Sequence, residues 1–237
     1  EREGKPADRL TISVGHDARA SGPYLAAAFI HGLTAADADV IDCGLCAAPA
    51  ALWPARDPGS AVDGAAMVTA GQHAPSLNGI KLLARSGGPS GDDLKDMLDF
   101  ASRTEPPVRL VTHADAMARY EARLTALIAR RMGEAERPLE GARIAVEASG
   151  AGAFFVSLLR RLGAEAASPG ELGASSLPDA VRAVSADLGV TLEGDCSLAA
   201  VLGPDGRPIA GNRLIALTAA MVLTGTGRIE EIGRAHV

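Results

Sequence analysis

The apolar run Met67-Val68-Thr69-Ala70 passes into the polar turn Gly71-Gln72-His73-Ala74-Pro75-Ser76-Leu77 and leaves through Asn78-Gly79-Ile80-Lys81. A strand edge that delivers a loop of small and polar residues is a common place for chemistry. His73 could accept a phosphoryl group on its imidazole, and Ser76, further round, carries a hydroxyl. Lys81 offers a cation to a phosphate, against the plainer reading of a solvated lysine at a strand end. A second constellation is Glu193-Gly194-Asp195-Cys196-Ser197. Its two carboxylates on one turn could attract a cation weakly, although a solvated acidic turn explains them too. Cys43-Gly44-Leu45-Cys46 has the spacing of a redox or zinc pair, but a structural zinc site wants four ligands and no second close Cys/His pair follows. Two small buried residues at a strand-to-helix turn are the simpler account. Gly150-Ala151-Gly152 hints at a dinucleotide fingerprint, yet Phe155 stands at the third glycine's place and no acid is well placed downstream.

These residues need elements to position them. Short apolar runs alternate with amphipathic ones, the pattern of an α/β protein with a largely parallel sheet. Strands are expected at 10–14, 40–41, 65–69 and 79–83, and again at 143–146 and 188–192. Helices are expected from Ser21-Gly22-Pro23 to about Thr34, with Ser21 as cap and proline in the first turn, then at 48–55, broken by Pro49 and Pro54. Further helices are expected at 90–102, 114–132, 153–162, 177–185 and 213–223. Runs at 199–202 and 208–210 flank the turn Pro204-Asp205-Gly206. Thr104-Glu105-Pro106-Pro107 reads as a hinge.

Four stretches together resemble one family. Thr69 to Lys81 aligns without a gap with Thr-Ala-Ser-His-Asn-Pro-Pro-x-x-Asn-Gly-x-Lys, the active-site loop of the α-D-phosphohexomutases (phosphomannomutase/phosphoglucomutase). Val14-Gly15-His16-Asp17-Ala18-Arg19-Ala20-Ser21-Gly22 resembles the family's Val-Gly-Arg-Asp-x-Arg-x-Ser-Gly. Asp42-Cys43-Gly44-Leu45 with Ala48-Pro49 resembles its Asp-x-Gly turn. Ala186 to Leu198, followed by Gly211-Asn212-Arg213-Leu214, resembles its Asp-Gly-Asp-x-Asp-Arg metal loop and the Gly-Asp-Arg-Leu after it. The resemblance implies two consecutive three-layer α/β/α domains with mixed, mainly parallel sheets. It divides the chain into domain I at 1–105 with its first segment missing, domain II at 106–212, and the start of domain III at 213–230.

It also implies phosphoryl transfer on hexose phosphates in carbohydrate metabolism, with magnesium as cofactor. The residues that would do this have changed. Gly71 stands at the phosphoserine position, and a covalent relay needs a nucleophile there. Gln72 replaces the family's histidine, His73 its asparagine, and Lys81 is retained. In the metal loop Glu193, Asp195 and Ser197 stand where the family has three aspartates, and Leu198 replaces its arginine. Magnesium binding is therefore expected to be weak or absent. The chain reads as a catalytically impaired family member, with a non-catalytic sugar-phosphate binding or regulatory protein, or a fragment of a decaying gene, as alternatives.

Composition agrees with a globular protein. The 237 residues carry 47% hydrophobic and 22% charged residues and a formal net charge of −6, long enough for one large or two ordinary cores. The acidic balance and 3% aromatic content argue against nucleic acid partners. The lack of a long apolar run argues against a membrane, and the absence of a leader pattern favours the cytoplasm. A hexose phosphate is the expected partner, and oligomeric state is left open. The last seven residues, Glu231-Ile232-Gly233-Arg234-Ala235-His236-Val237, match a translated sequencing adapter and are set aside as a scar.

Overall fold

The computed structural model describes residues 10–101, 111–133 and 135–226. Two mixed α/β sheets follow one another along the chain. The first has the order β4-β3-β1-β2-β5. Here β1 is Thr11–His16, β2 Asp39–Leu45, β3 Gly64–Val68, β4 Ile80–Ala84 and β5 Val111–His113. Only β4 runs antiparallel, paired with β3 from Val68↔Ile80 to Gly64↔Ala84. The second sheet has the order β7-β6-β8-β9, with β6 Arg143–Ala148, β7 Glu165–Ala167, β8 Leu188–Leu192 and β9 Ala199–Leu202, and only β9 is antiparallel.

Side chains of the first sheet alternate between two cores, as pleating requires. Val14, Val40, Ala66 and Val68 pack under Ala26 and Ile30 of α1 (Gly22–Ala35). Cys43, Cys46 and Met67 face the opposite layer, built from α2 (Ala48–Leu52) and the start of α4 (Ala116–Arg131). Val14, Val68 and Met67 are fully buried, each worth roughly 1.5–3 kcal/mol of apolar burial. In the second sheet, Val146 packs against Leu159 of α5 (Phe154–Arg161), and Ala145 against Leu177, Ala180 and Val181 of α6 (Leu177–Ala183). The remaining helices are α3 (Gly91–Ala101) and α7 (Gly211–Thr226).

Several expectations are adjusted. Pro54 falls in a 3-10 turn, Trp53–Arg56, that follows α2. The residues from Gly150 to Ala153 also form a 3-10 turn before α5 begins. Ser21 makes no side-chain cap to α1; its Oγ instead accepts from Asn78 Nδ2 at 2.8 Å, tying the helix start to the loop after β3. The segment at 208–210 is not a strand but a single bridge, Leu202↔Pro208, because proline has no N–H to continue a ladder. Two three-residue strands, β5 and β7, were too short to stand out in the pattern. β5 pairs with β2 and α4 packs on α2, so both adjoin the first sheet although they lie beyond residue 105. The expected hinge at 104–107 and the tail at 231–237 lie outside the described residues.

Candidate active site

The carboxyl ends of the parallel strands, where α/β folds place their ligands, bring the loops together. β1 ends at His16 beside Val68 of β3, and the loop 69–79 leaves from that point. In the second sheet the turn 193–198 joins β8 to β9. The two units meet closely behind these loops. Gly150, with φ +56°, sits where an added Cβ would lie 2.9 Å from the Ala18 Cβ, so only glycine fits both the backbone and the space. Nearby, α4 touches α5 through an edge contact of Tyr120 with Phe154, centroids 6.0 Å apart, and an ion pair of Glu121 with Arg161.

Arg19 shapes the loop. Its Nε donates to Asp17 Oδ2 at 3.0 Å. Its Nη1 donates to the carbonyls of Ala74 at 2.7 Å and Leu77 at 3.1 Å, and its Nη2 to those of Gly71 at 2.8 Å and His73 at 2.9 Å. A planar five-donor guanidinium suits this task in a way an ammonium does not. Thr69, at the end of β3, is the node between the sheets. Its hydroxyl lies 2.7 Å from Asp17 Oδ2 and 2.8 Å from Asp195 Oδ2, and it accepts from the Gly71 N–H at 3.0 Å. One hydroxyl proton cannot serve both carboxylates at once, and the opposite charge comes from Arg19 on one side and Lys81 on the other.

Lys81 Nζ lies 2.9 Å from Asp195 Oδ2 and donates to Ser197 Oγ at 3.1 Å. The Asp195 side chain has no exposed surface. Its Oδ1 accepts from the Ser197 N–H at 2.9 Å, and its main-chain oxygen accepts from the Ala48 N–H at 2.7 Å. Burial alone pushes this carboxyl up; hydrogen bonds from Ser197, Lys81 and Thr69 outweigh it and hold the group at about 2.

The structure thus gathers four residues singled out in the sequence: Gly71, Lys81, Asp195 and Ser197. Gly71 has φ +56°, and a Cβ built on it would have only Lys81 Nζ, at 3.9 Å, within 4 Å. Gln72, His73 and Ser76 are exposed on the rim; the His73 backbone is bonded to Ala70 and Arg19, and its imidazole makes no hydrogen bond among the described residues. Glu193 Oε2 is the one buried side-chain polar atom without a partner among the described residues. Cys43 and Cys46 are buried and Cys196 half-buried, all free. Burial pushes Cys43 up to about 11, Cys46 to about 12 and Cys196 to about 11, the state of packing residues rather than reactive thiols. Sequence reasoning passed over the roles of Asp17, Arg19 and Thr69. The signal was present in the Asp17-Ala18-Arg19 triplet and in the threonine opening the loop, but it served only to mark a resemblance.

Residues 3–105 match the family model of phosphoglucomutase/phosphomannomutase α/β/α domain I. A protein of Thermococcus kodakarensis named phosphoglucomutase/phosphomannomutase is 30% identical over 96% of this chain and 53% of its own length. The chain belongs to the phosphohexomutase family. A phosphoglucosamine mutase of Symbiobacterium thermophilum is 28% identical, over 92% of the chain and 52% of that protein. Among solved structures, a phosphoglucomutase/phosphomannomutase family protein of Burkholderia thailandensis superposes with a TM-score of 0.75, covering 91% of this chain and 51% of that one. At 24% identity this likeness speaks for the fold. The chain spans about half the length of the curated relatives it matches. No helix among the described residues is long and apolar enough to cross a membrane.

Magnesium, which the phosphohexomutase resemblance implies, can be tested against the residues present. No group of three or more His, Cys, Asp or Glu among the described residues is placed to hold a metal ion. Both oxygens of Asp195 already accept hydrogen bonds, and Ser197 Oγ faces the Lys81 ammonium. The donor set does not fit magnesium, which wants several hard oxygens at about 2.0–2.1 Å.

Proposed function

We propose that this chain comes from a phosphohexomutase-type protein acting in hexose-phosphate metabolism whose phosphoryl relay is impaired at residue 71. One observation carries the reading: the loop that should present a nucleophile beside Lys81 presents the bare backbone of Gly71. A covalent relay requires an atom that can bond to phosphorus and release it again. His73 and Ser76 point no better, since both lie on the exposed rim. The test is turnover of glucose 1-phosphate and mannose 1-phosphate by the full-length protein, with hexose bisphosphate activator and magnesium present. The expected result is no isomerisation. Clear turnover that a Lys81→Ala change abolishes would overturn the proposal.

A second reading, a non-catalytic hexose-phosphate binding or regulatory protein, draws support from the buried network. Asp17, Arg19, Thr69, Lys81 and Asp195 satisfy one another across both sheets. Such a network favours a maintained scaffold over a decaying gene, because loss of Arg19 or Lys81 would leave a buried carboxylate, Asp17 or Asp195, without its cation. Calorimetric titration with hexose phosphates separates the two readings; absence of heat with every one counts against binding.

A further inference from the structure

We propose that the cavity between the first sheet and α4 is a binding site for a small aromatic carboxylate, separate from the loops that meet at Lys81. The cavity has a volume of about 270 Å3 and lies between the 3-10 turn Trp53–Arg56 and α4, against Ile41 and Cys43 of β2 and Val62 before β3. Small side chains keep it open. Ala50 of α2, with Ala114 and Ala116 around the start of α4, stand where larger residues would close the gap that interiors otherwise fill. None of the lining residues belongs to the loop 69–79 or to the turn 193–198.

The charged groups at the cavity set the charge of the ligand. Asp57, Arg119 and Arg123 line it. Asp57 is already engaged, its Oδ2 accepting from Arg123 Nη1 at 3.2 Å and its Oδ1 from the Gly59 N–H at 3.1 Å. The Arg119 side chain has no hydrogen bond or ion pair among the described residues. It is an unmet positive charge on a planar fork of donors, the shape that takes a carboxylate in two parallel bonds. Its charge reaches the cavity wall: burial and Asp42 push the Cys43 thiol up, and Arg119 pulls against them. The apolar lining sets the body of the ligand. Trp53, the chain's one tryptophan, carries Arg123 at 4.1 Å from its ring centroid and is still 41% exposed. Tyr120 supplies a second ring, and its hydroxyl has no partner among the described residues. A flat aromatic body gains apolar burial and ring contacts here. A hexose phosphate would instead lay hydroxyls against Ile41 and Val62, which offer them no hydrogen bond.

The experiment titrates the 15N-labelled full chain with 2-naphthoate. The single indole N–H signal, from Trp53, reports at the site, and calorimetry gives the affinities. The expected result is saturable movement of that signal, with naphthoate bound about tenfold or more tightly than 2-naphthamide, its uncharged counterpart. Arg119→Met, a change at an exposed position, should bring naphthoate down to the affinity of the amide, and Lys81→Met should leave its affinity unchanged. An indole signal that stays still at about 1 mM naphthoate, equal binding of the two compounds, or wild-type affinity in Arg119→Met would overturn the proposal. So would loss of binding in a Lys81→Met protein that circular dichroism shows to be folded, since the ligand would then sit at the loop beside residue 71. If Arg119→Met does not fold, Arg119→Gln carries the same expectation. If Lys81→Met does not fold, excess glucose 1-phosphate takes its place as a competitor, and displacement of naphthoate counts against the cavity. Hexose-phosphate turnover by the wild-type protein would sink the impaired-relay proposal and leave this one standing.

Discussion

Putting a side chain back at residue 71 tests how far the loop has adapted to its absence. Gly71 has φ +56°, and both its peptide groups are held: its N–H donates to Thr69 Oγ1 at 3.0 Å and its carbonyl accepts from Arg19 Nη2 at 2.8 Å. The backbone cannot rotate to φ < 0 without releasing those bonds. A new Cβ would find space, since its nearest neighbour is Lys81 Nζ at 3.9 Å, so the cost is conformational and not a clash. An L-residue in the left-handed region pays roughly 1–2 kcal/mol. Loss of glycine's freedom in the unfolded chain returns about 0.4–1 kcal/mol. Taking the middle of each range, Gly71→Ala is destabilised by about 0.8 kcal/mol, a fall in Tm of roughly 2–3 °C for a chain of this size. Gly71→Ser should lose slightly less than alanine, because its hydroxyl comes within reach of the Lys81 ammonium. Gly71→Asn should lose least, since asparagine tolerates this region. Urea unfolding of the three variants gives the order directly. Alanine and serine proteins as stable as wild type, or an asparagine protein less stable than alanine, would refute the argument from backbone conformation.

Two other outcomes follow from the geometry. Replacing Arg19 by lysine exchanges a five-donor fork, which binds four loop carbonyls, for three donors on a point charge. Hydrogen–deuterium exchange at the Gly71, His73 and Leu77 amides should accelerate about tenfold or more while the β1 and β3 amides keep their protection; unchanged loop exchange would remove Arg19 from its role. Cys43 and Cys46, with thiols pushed up to about 11 and 12, should resist iodoacetamide at neutral pH in the folded protein and react fully in denaturant. Rapid native labelling of both would favour the thiol-redox reading instead.

The elements were readable where their periodicity was strong and long. The β3-loop-β4 unit, α1 and the β8 strand lie within a residue or two of their expected places, because short apolar runs bounded by polar turns and a Gly-Pro helix start leave little choice. The three-residue strands β5 and β7 were not readable, since a strand that short carries no period. In the site, residue types disclosed which chemistry was missing: glycine has no nucleophile whatever its surroundings. They did not disclose what the remaining polar groups do. Lys81 looked like a free cation for phosphate, and only the fold shows it engaged with Asp195 and Ser197. Ser21 looked like a helix cap, and only the fold shows its hydroxyl taken by Asn78. Partnership between residues so far apart in sequence is a property of the assembled sheets, not of spacing.

The buried and exposed halves of the site answer to different constraints. Asp17, Thr69 and Asp195 are 4%, 2% and 2% exposed, and removing a partner from such a group consumes a large share of the 5–15 kcal/mol that stabilises a typical fold. Gln72, His73 and Ser76 are exposed, where substitutions usually change stability by no more than about 0.5 kcal/mol. A family member freed from phosphoryl transfer yet still held to its fold would keep the first group and vary the second. At residue 71, where the backbone is left-handed, it would lose little by settling on glycine. Leu198, 43% exposed where the resemblance implies an arginine, would fit the same rule, as would a serine at 197 whose backbone N–H holds Asp195. On the proposed reading, changes at residues 71, 72, 197 and 198 would fall where chemistry alone objects, whereas Asp17, Thr69 and Asp195 are the residues the two sheets need in order to meet.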